Sequence, residues 1–591
     1  MNAALRQRVA AAHQVAAQAL LAELGPNGHW VGELSSSALS TATAVTALAA
    51  VDRETHAGFI RGGLHWLATN ANADGGWGDT VRSRSNLSTT ALVWAAFGAA
   101  KADADFPAAV GRAVGFIEAK AGSLDRLVPA IEALYGKDRT FSVPITMMLA
   151  LSGRLGPDGW TRVRPLPFEL ATLPRGFYGA LRLPVVSYAL PALIAIGQVI
   201  HARSGRFNPL RSLARDRTLE VLTTLQPANG GFLEATPLTS FVTMSLAGMD
   251  RANHVVARRG VEFLRQSVRP DGSWPIDTDL ATWVTTLSLK ALSHRNADGH
   301  VGLDELLDDD QRSALRGWLL GQQYRVEHPY TGAAPGGWAW TDLPGGVPDA
   351  DDTAGALLAL RCLGNPDHAT VDAAAAGVNW LLGLQNRDGG IPTFCRGWGT
   401  LPFDRSTPEL TAHALRAWRA WLSDLPAELA DRSEAAIRRG NAYLATSQRT
   451  DGAWLPLWFG NETAPQQENP VYGTAQVLLG WDSNPALDRL RSRGREFLRQ
   501  NQNSDGGWGG ALGTPSTVEE TALAVEALVD DPESVASTER GAAWLVLAVE
   551  SGQWREPAPI GLYFARLWYF ERLYPQVFAV SALGRLTSER R

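Results

Sequence analysis

Cysteine is almost missing from this chain of 591 residues. The two present, Cys362 and Cys395, cannot form a disulfide framework and fit a reducing compartment. An excess of one charge is also missing: 54 Lys and Arg stand against 60 Asp and Glu, a net charge of −6. That excludes the basic face a nucleic-acid binder needs. Long apolar runs are absent too. The longest uncharged stretch, residues 183–200, is borderline for a span of about 20 residues and carries two prolines, Ser187 and Gln198. A helix buried in a large core suits it better. Arg6, Arg8 and His13 break the N-terminal segment, which reads as an amphipathic helix and not as a secretion signal. With 45% hydrophobic and 19% charged residues the chain is globular, and roughly 150 residues per domain suggests two to four domains.

What is abundant is Trp, with 21 copies, and Gly, with 58, and the two recur together. An Arg-Gly or similar start, an aromatic-Leu pair, often a Gln, and then Asp-Gly-x-Trp repeat along the chain. Clear copies end at Trp77, Trp274, Trp454 and Trp508, another at Trp554, and weaker ones at Trp30, Phe232, Trp338 and Ile391. The part before Asp-Gly has helical period, as in Val261, Phe263 and Leu264. Asp-Gly ends that helix, because Gly accepts the positive φ of a helix C-terminus or tight turn. A second apolar helix follows, as in residues 521–528. Helix–turn–helix units of this kind cannot bury their faces alone and must pack on their neighbours. The expectation is an all-α protein, as an open solenoid or a closed ring of helix pairs.

Chemistry needs a site, and the segment 336–360 offers one. Asp349, Asp351 and Asp352 fall within four positions just ahead of an apolar helix. As structure, they are an N-cap and a favourable first turn. As chemistry, crowded carboxylates raise one another's pKa, so one can stay protonated near neutral pH as a Brønsted acid. Mg²⁺ binding is the rival use, but diphosphate capture would need a second acidic set. Residues 304–310 (DELLDDD) lack the companion pattern for that and read as a solvated loop.

The string Asp349-Ala-Asp351-Asp352-Thr-Ala, set among Gln-Trp type repeats, resembles the class II terpene cyclases and most closely the squalene–hopene cyclases. The likeness covers nearly the whole chain. It implies two α/α barrels: residues 285–591 with the N-terminal helix 1–25 packed on them, and an inserted barrel, 26–284, with the active cavity between. It implies Asp351 as proton donor, Asp349 and Asp352 as flanking carboxylates, His413 as its cationic partner, and Glu409 as the acid that orients the histidine. On its own, His413 would read as a satisfied core residue.

Protonating an alkene calls for a strong acid in a dry site and aromatic faces that stabilise the cation without capturing it. The resemblance assigns cavity positions to Trp340, Trp283, Phe394, Trp458, Tyr472, Tyr188, Tyr563 and Phe570, and a terminating-end position to Thr236. There are departures. Val284 stands where an Asp is usual, Thr236-Pro237 where Gln-Pro is usual, and Leu567 where a Tyr is usual; the connection 201–217 is short. The implied activity is cyclisation of a linear polyisoprenoid, squalene first, with a prenyl diphosphate or meroterpenoid precursor as the alternative and a non-catalytic binding barrel as a remote one. No metal or organic cofactor is implied, and neither cysteine has the Asp spacing of a prenyltransferase Zn²⁺ site. A cytoplasmic protein is implied, with contact to the inner face of the membrane and homodimerisation left open.

Overall fold

The computed structural model describes residues 1–174, 176–181, 183, 189–205, 208–294, 302–394, 403–481, 487–562 and 566–587. Helices dominate, and the strands among these residues form two short antiparallel pairs, 36–37 with 274–275 and 560–562 with 567–569.

The helices form two closed double rings. In the larger one the inner helices are Ala281–Leu292, Ala350–Cys362, Pro408–Trp421, Pro470–Gly480, Val518–Leu528 and Tyr574–Thr587. Each packs on the next, and the last packs on the first. In the smaller one the inner helices are Ala38–Asp52, Leu87–Ala100, Arg139–Leu151, Leu190–Arg203 and Thr236–Gly248, closed in the same way. Inner helices such as Leu87–Ala100 are buried nearly all round, whereas the outer helix Asp488–Gln500 buries only Gly494, Phe497 and Leu498. Each ring has its own hydrophobic core. The N-terminal helix Ala3–Ala22 buries Val9, Ala12, Ala16, Ala17 and Leu20 against Tyr574–Thr587 and Val535–Ser551, so it serves as an outer helix of the larger ring. Because Ala281–Leu292 is an inner helix of that ring, the passage between rings falls at 276–280, ahead of the boundary expected at 284/285.

The repeat has a hydrogen-bond explanation. The indole N–H groups of Trp30, Trp77, Trp274, Trp454 and Trp508 donate to Leu20, Leu67, Leu264, Leu444 and Leu498, each ten residues earlier, at 2.7–2.9 Å. These are C-terminal carbonyls of outer helices, which otherwise lack partners. The main-chain N–H of the same tryptophans donates to a Thr hydroxyl of an inner helix: Thr285, Thr90, Thr41, Thr474 and Thr521, at 2.9–3.0 Å. The weaker copies Phe232 and Ile391 keep that bond, to Thr239 and Thr411. The repeat's Gln closes the turn: Gln502 Nε2 donates to the Gly506 carbonyl at 2.8 Å and to Ser537 of the next outer helix at 2.9 Å. Gly506 has φ of +92°, and the Gly of Arg-Gly lets the helices touch: a Cβ on Gly541 would meet Trp508 at 2.7 Å.

Two of these bonds close the rings. Trp274 reaches Thr41 of the smaller ring's first helix, and Trp30 reaches Thr285 of the larger ring's first helix. Residues 304–310, expected as a solvated loop, instead end the short helix Gly302–Leu306 and begin the next, Asp309–Gly321, which Asp308 caps through a capping box with Gln311. The apolar stretch 183–200 contributes the buried helix Leu190–Arg203. Among the described residues no helix is long and apolar enough to cross a membrane.

The Thr–Trp bond can be tested by an isosteric change. Thr521→Val keeps the volume but leaves the buried Trp508 N–H unpaired, a loss of about 1–3 kcal/mol. Thermal and urea unfolding should show a lower midpoint, and an unchanged midpoint would remove this bond from the repeat's role.

Candidate active site

The inner helix Ala350–Cys362 begins where the larger ring faces the smaller. Its entry is fixed by main-chain bonds: Asp349 N–H donates to the Trp338 carbonyl at 3.1 Å and Ala350 N–H to Thr393 at 2.9 Å. Asp349 is the N-cap, and its Oδ1 accepts from the N–H groups of Asp351 and Asp352, both at 2.9 Å. One turn of helix therefore gives the three carboxyls three environments.

Asp352 is buried, and one of its oxygens has no hydrogen-bond partner. Burial first, and then the neighbouring Asp349 and Asp351 carboxyls, push its pKa well up. Burial pushes Asp349 up to about 7, opposed by its bonds from Asp352 and the helix amides. Asp351 differs: its side chain keeps 19% exposure, and its Oδ1 lies 2.6 Å from His413 Nδ1. His413 is held below the usual imidazole pKa by burial, against the pull of the Asp351 bond, and its ring meets Trp283 edge-on at 6.1 Å.

Glu409, expected to orient His413, bonds elsewhere. Its carboxyl accepts from the Thr407 hydroxyl and from the N–H groups of Leu457, at 2.9 Å, and Trp458, at 3.4 Å. It sits in the first turn of Pro408–Trp421, where it anchors the loop carrying Trp458. Burial pushes it up to about 7.

All three aspartates line a cavity of about 390 Å³ between the rings. Of the aromatic positions expected in its wall, Trp340, Trp283, Phe394 and Trp458 are there. Phe394 meets Trp340 at 6.3 Å and Trp458 at 5.6 Å, both edge-on, and Phe403 completes the cluster at 6.3 Å from Phe394. Three expectations need correction. Tyr472 is buried one layer back: it packs on the lining residue Phe459 at 4.7 Å and its hydroxyl meets Gln476. Phe570 is not in the wall but lies under Arg82. The strand 567–569 alternates, so Leu567 and Tyr569 share the cavity face while Phe570 falls on the other. Thr236 is buried with its hydroxyl unpartnered, and its neighbours Ala235 and Pro237 form the wall. Tyr188 and Tyr563 lie outside the described residues.

Sequence reasoning missed Tyr569, Tyr574, Phe403, Phe241 and the acids Asp79 and Asp277, all lining residues. Period-two alternation from Leu567 would have found Tyr569; Phe403 carries no motif. Among the described residues no three His, Cys, Asp or Glu side chains are grouped to hold a metal.

The squalene-hopene cyclase N-terminal domain model matches residues 14–271 and the C-terminal domain model residues 279–588. The chain is 27% identical to a terpene cyclase–glycosyl transferase fusion protein from Humicola fuscoatra, over 95% of this chain and 48% of that protein. It thus spans about half the length of that relative. A squalene hopane cyclase from Aspergillus fumigatus is 26% identical over 83% of this chain and 76% of its own length. Among solved structures, the ent-copalyl diphosphate synthase from Streptomyces platensis shares the fold, with a TM-score of 0.57, 20% identity and coverage of 98% and 99% of the two chains.

The buried carboxyls predict a pH dependence of stability. Asp349, Glu409 and Glu571 rise to about 7, and Glu462 and Glu519 to about 8. Above the ordinary carboxyl range the folded state therefore holds protons that the unfolded chain has lost, so stability falls as pH rises toward 8. Histidine opposes this only below about 6.5. The thermal midpoint should be lower at pH 8.0 than at pH 6.5; an equal or higher value would contradict the buried neutral carboxyls.

Proposed function

The chain belongs to the squalene-hopene cyclase family, and on that premise we propose that it cyclises a linear polyisoprenoid by protonation, with Asp351 as the acid. The observation that carries the reading is that Asp351, held by His413 at 2.6 Å, opens on a cavity walled by Trp283, Trp340, Phe394 and Trp458. In the proposed first step the proton of Asp351 adds to one carbon of an alkene. The π electrons form the new C–H bond and leave a cation on the neighbouring carbon. His413 Nδ1–H donates to the Asp351 oxygen that becomes negative, which stabilises the conjugate base. Asp352, kept neutral, adds no second negative charge beside it.

The aromatic faces stabilise the cation by about 2 kcal/mol or more per contact in a dry site, and they offer no lone pair to capture it. Successive double bonds attack in turn, provided the cavity holds the chain folded. Loss of a proton, or capture of water, ends the cascade. The acid is regenerated, so no cofactor enters the scheme. Squalene is the first substrate to try. A polyisoprenoid bearing a polar group is the second reading, favoured by the polar residues Asp277 and Asp79 in the wall.

We also infer that substrate arrives from a membrane surface. Leu210 and Leu213 on the helix Pro209–Leu225 are 71% and 81% exposed, and Phe177 and Leu181 are exposed as well. Exposed apolar side chains of this kind suit peripheral contact. Homodimerisation stays a proposal from the resemblance alone, as do the two barrels acting as domains.

The test is incubation of the purified protein with squalene and with C15, C20 and C25 prenyl diphosphates, followed by mass spectrometry of the products. Asp351→Asn should lower turnover by about 10²–10⁴-fold or more while helical content is unchanged. Retained activity in that variant would remove Asp351 from the donor role.

A further inference from the structure

Asp277 lies on the passage between the rings, where its main chain bridges Ala235, and it lines the same cavity as Asp351. It is partly exposed, and the cavity is what it is exposed to. Its two acidic neighbours have structural duties. Glu234 accepts from Asn229 and from the Gly345 N–H, both at 2.6 Å; Asp279 accepts from Thr341 at 2.7 Å and from the Ala281 N–H at 3.1 Å. Asp277 has one such bond, from the Thr278 N–H to Oδ1 at 2.8 Å. The indole N–H of Trp340 lies beside the carboxyl, outside hydrogen-bonding geometry. Among the described residues, one carboxyl oxygen thus has no protein partner at hydrogen-bonding geometry, in a wall that is otherwise mostly apolar.

A pure hydrocarbon filling this cavity would bury that oxygen unpaired, which is unfavourable. A ligand with an oxygen of its own would pair it. An uncharged ligand oxygen suits this wall better than an anion: among the described residues, its charged members apart from Arg566 are aspartates. Burial, reinforced by Glu234, pushes the Asp277 pKa well up, so the side chain is a neutral acid that can donate to an epoxide, carbonyl or hydroxyl oxygen.

We propose that Asp277 is a specificity-determining residue that hydrogen-bonds an uncharged oxygen function on the polyisoprenoid, so that this protein favours an oxygen-bearing substrate over the plain hydrocarbon. The inference rests on the cavity being the substrate site proposed above, and it deepens that reading.

Equilibrium binding separates the two ideas because it needs no turnover. The probes are pairs differing only in oxygen: squalene and its terminal epoxide, and a C20 polyprenyl alcohol and the matching hydrocarbon. They are titrated into the full chain carrying Asp351→Asn and followed by tryptophan fluorescence. In at least one pair the oxygenated member should bind at least about tenfold more tightly. Adding Asp277→Leu should abolish that preference by weakening the oxygenated ligand alone, whereas adding Asp277→Asn should preserve it. Circular dichroism checks that each variant is folded. Equal binding within both pairs, no binding of any probe, or a preference that survives Asp277→Leu would overturn the proposal. Turnover of squalene by the wild-type protein would leave the cyclase reading standing in that event. Selective binding without turnover of any probe would leave Asp277 standing and count against the cyclase reading.

Discussion

A helix enclosed on every side must find partners for its first amides and for the turns that lead into it. The rest of this structure depends on how that is done. In the repeats that end in Trp, a Thr hydroxyl of an inner helix accepts the main-chain N–H of the Trp, whose indole in turn takes up a carbonyl at the end of an outer helix. One residue thereby fixes the end of one helix, the start of the next and the distance between them. Closing a ring needs nothing new: Trp274 meets Thr41 in the smaller ring, and Trp30 meets Thr285 in the larger.

The same constraint prepares the acid. The inner helix Ala350–Cys362 points its N-terminus at the smaller ring, so the carboxyls of Asp349, Asp351 and Asp352 sit between a helix start, whose amides Asp349 takes, and an apolar hollow. The amides favour charge and the hollow disfavours it. Three acids within four positions end in different settings: Asp349 is tied to the helix amides, Asp352 is buried with its pKa pushed well up, and Asp351 faces the cavity with His413 behind it. Chain spacing alone could not have sorted them.

Much was legible beforehand. The repeats carry the all-α ring architecture because Trp, Gly and Gln each occupy a position with one geometric solution. The acidic triad, His413 and four of the wall aromatics were legible through motifs. What was not legible depends on direction. Whether Phe570 or Tyr569 faces inward is set by strand register, which a family position does not encode. Glu409 lies one turn before His413, yet its carboxyl is drawn off by the amides of a neighbouring loop. Asp277 gave no signal at all, since an Asp after a turn is ordinarily a solvated residue and only the fold makes it part of a cavity wall.

The pairing of Trp30 with Thr285, and of the helix Ala3–Ala22 with Tyr574–Thr587, ties segments more than 500 residues apart into one ring. During synthesis the smaller ring has all its parts once residue 275 has emerged, and it can fold while the ribosome is still working. The larger ring cannot. Its outer layer stays one helix short, with the earliest-made segment waiting, until the last inner helix arrives. The chamber that would hold a reactive cation therefore comes into being only once Tyr574–Thr587 has emerged, and a nascent chain without that helix has no enclosed acid to expose.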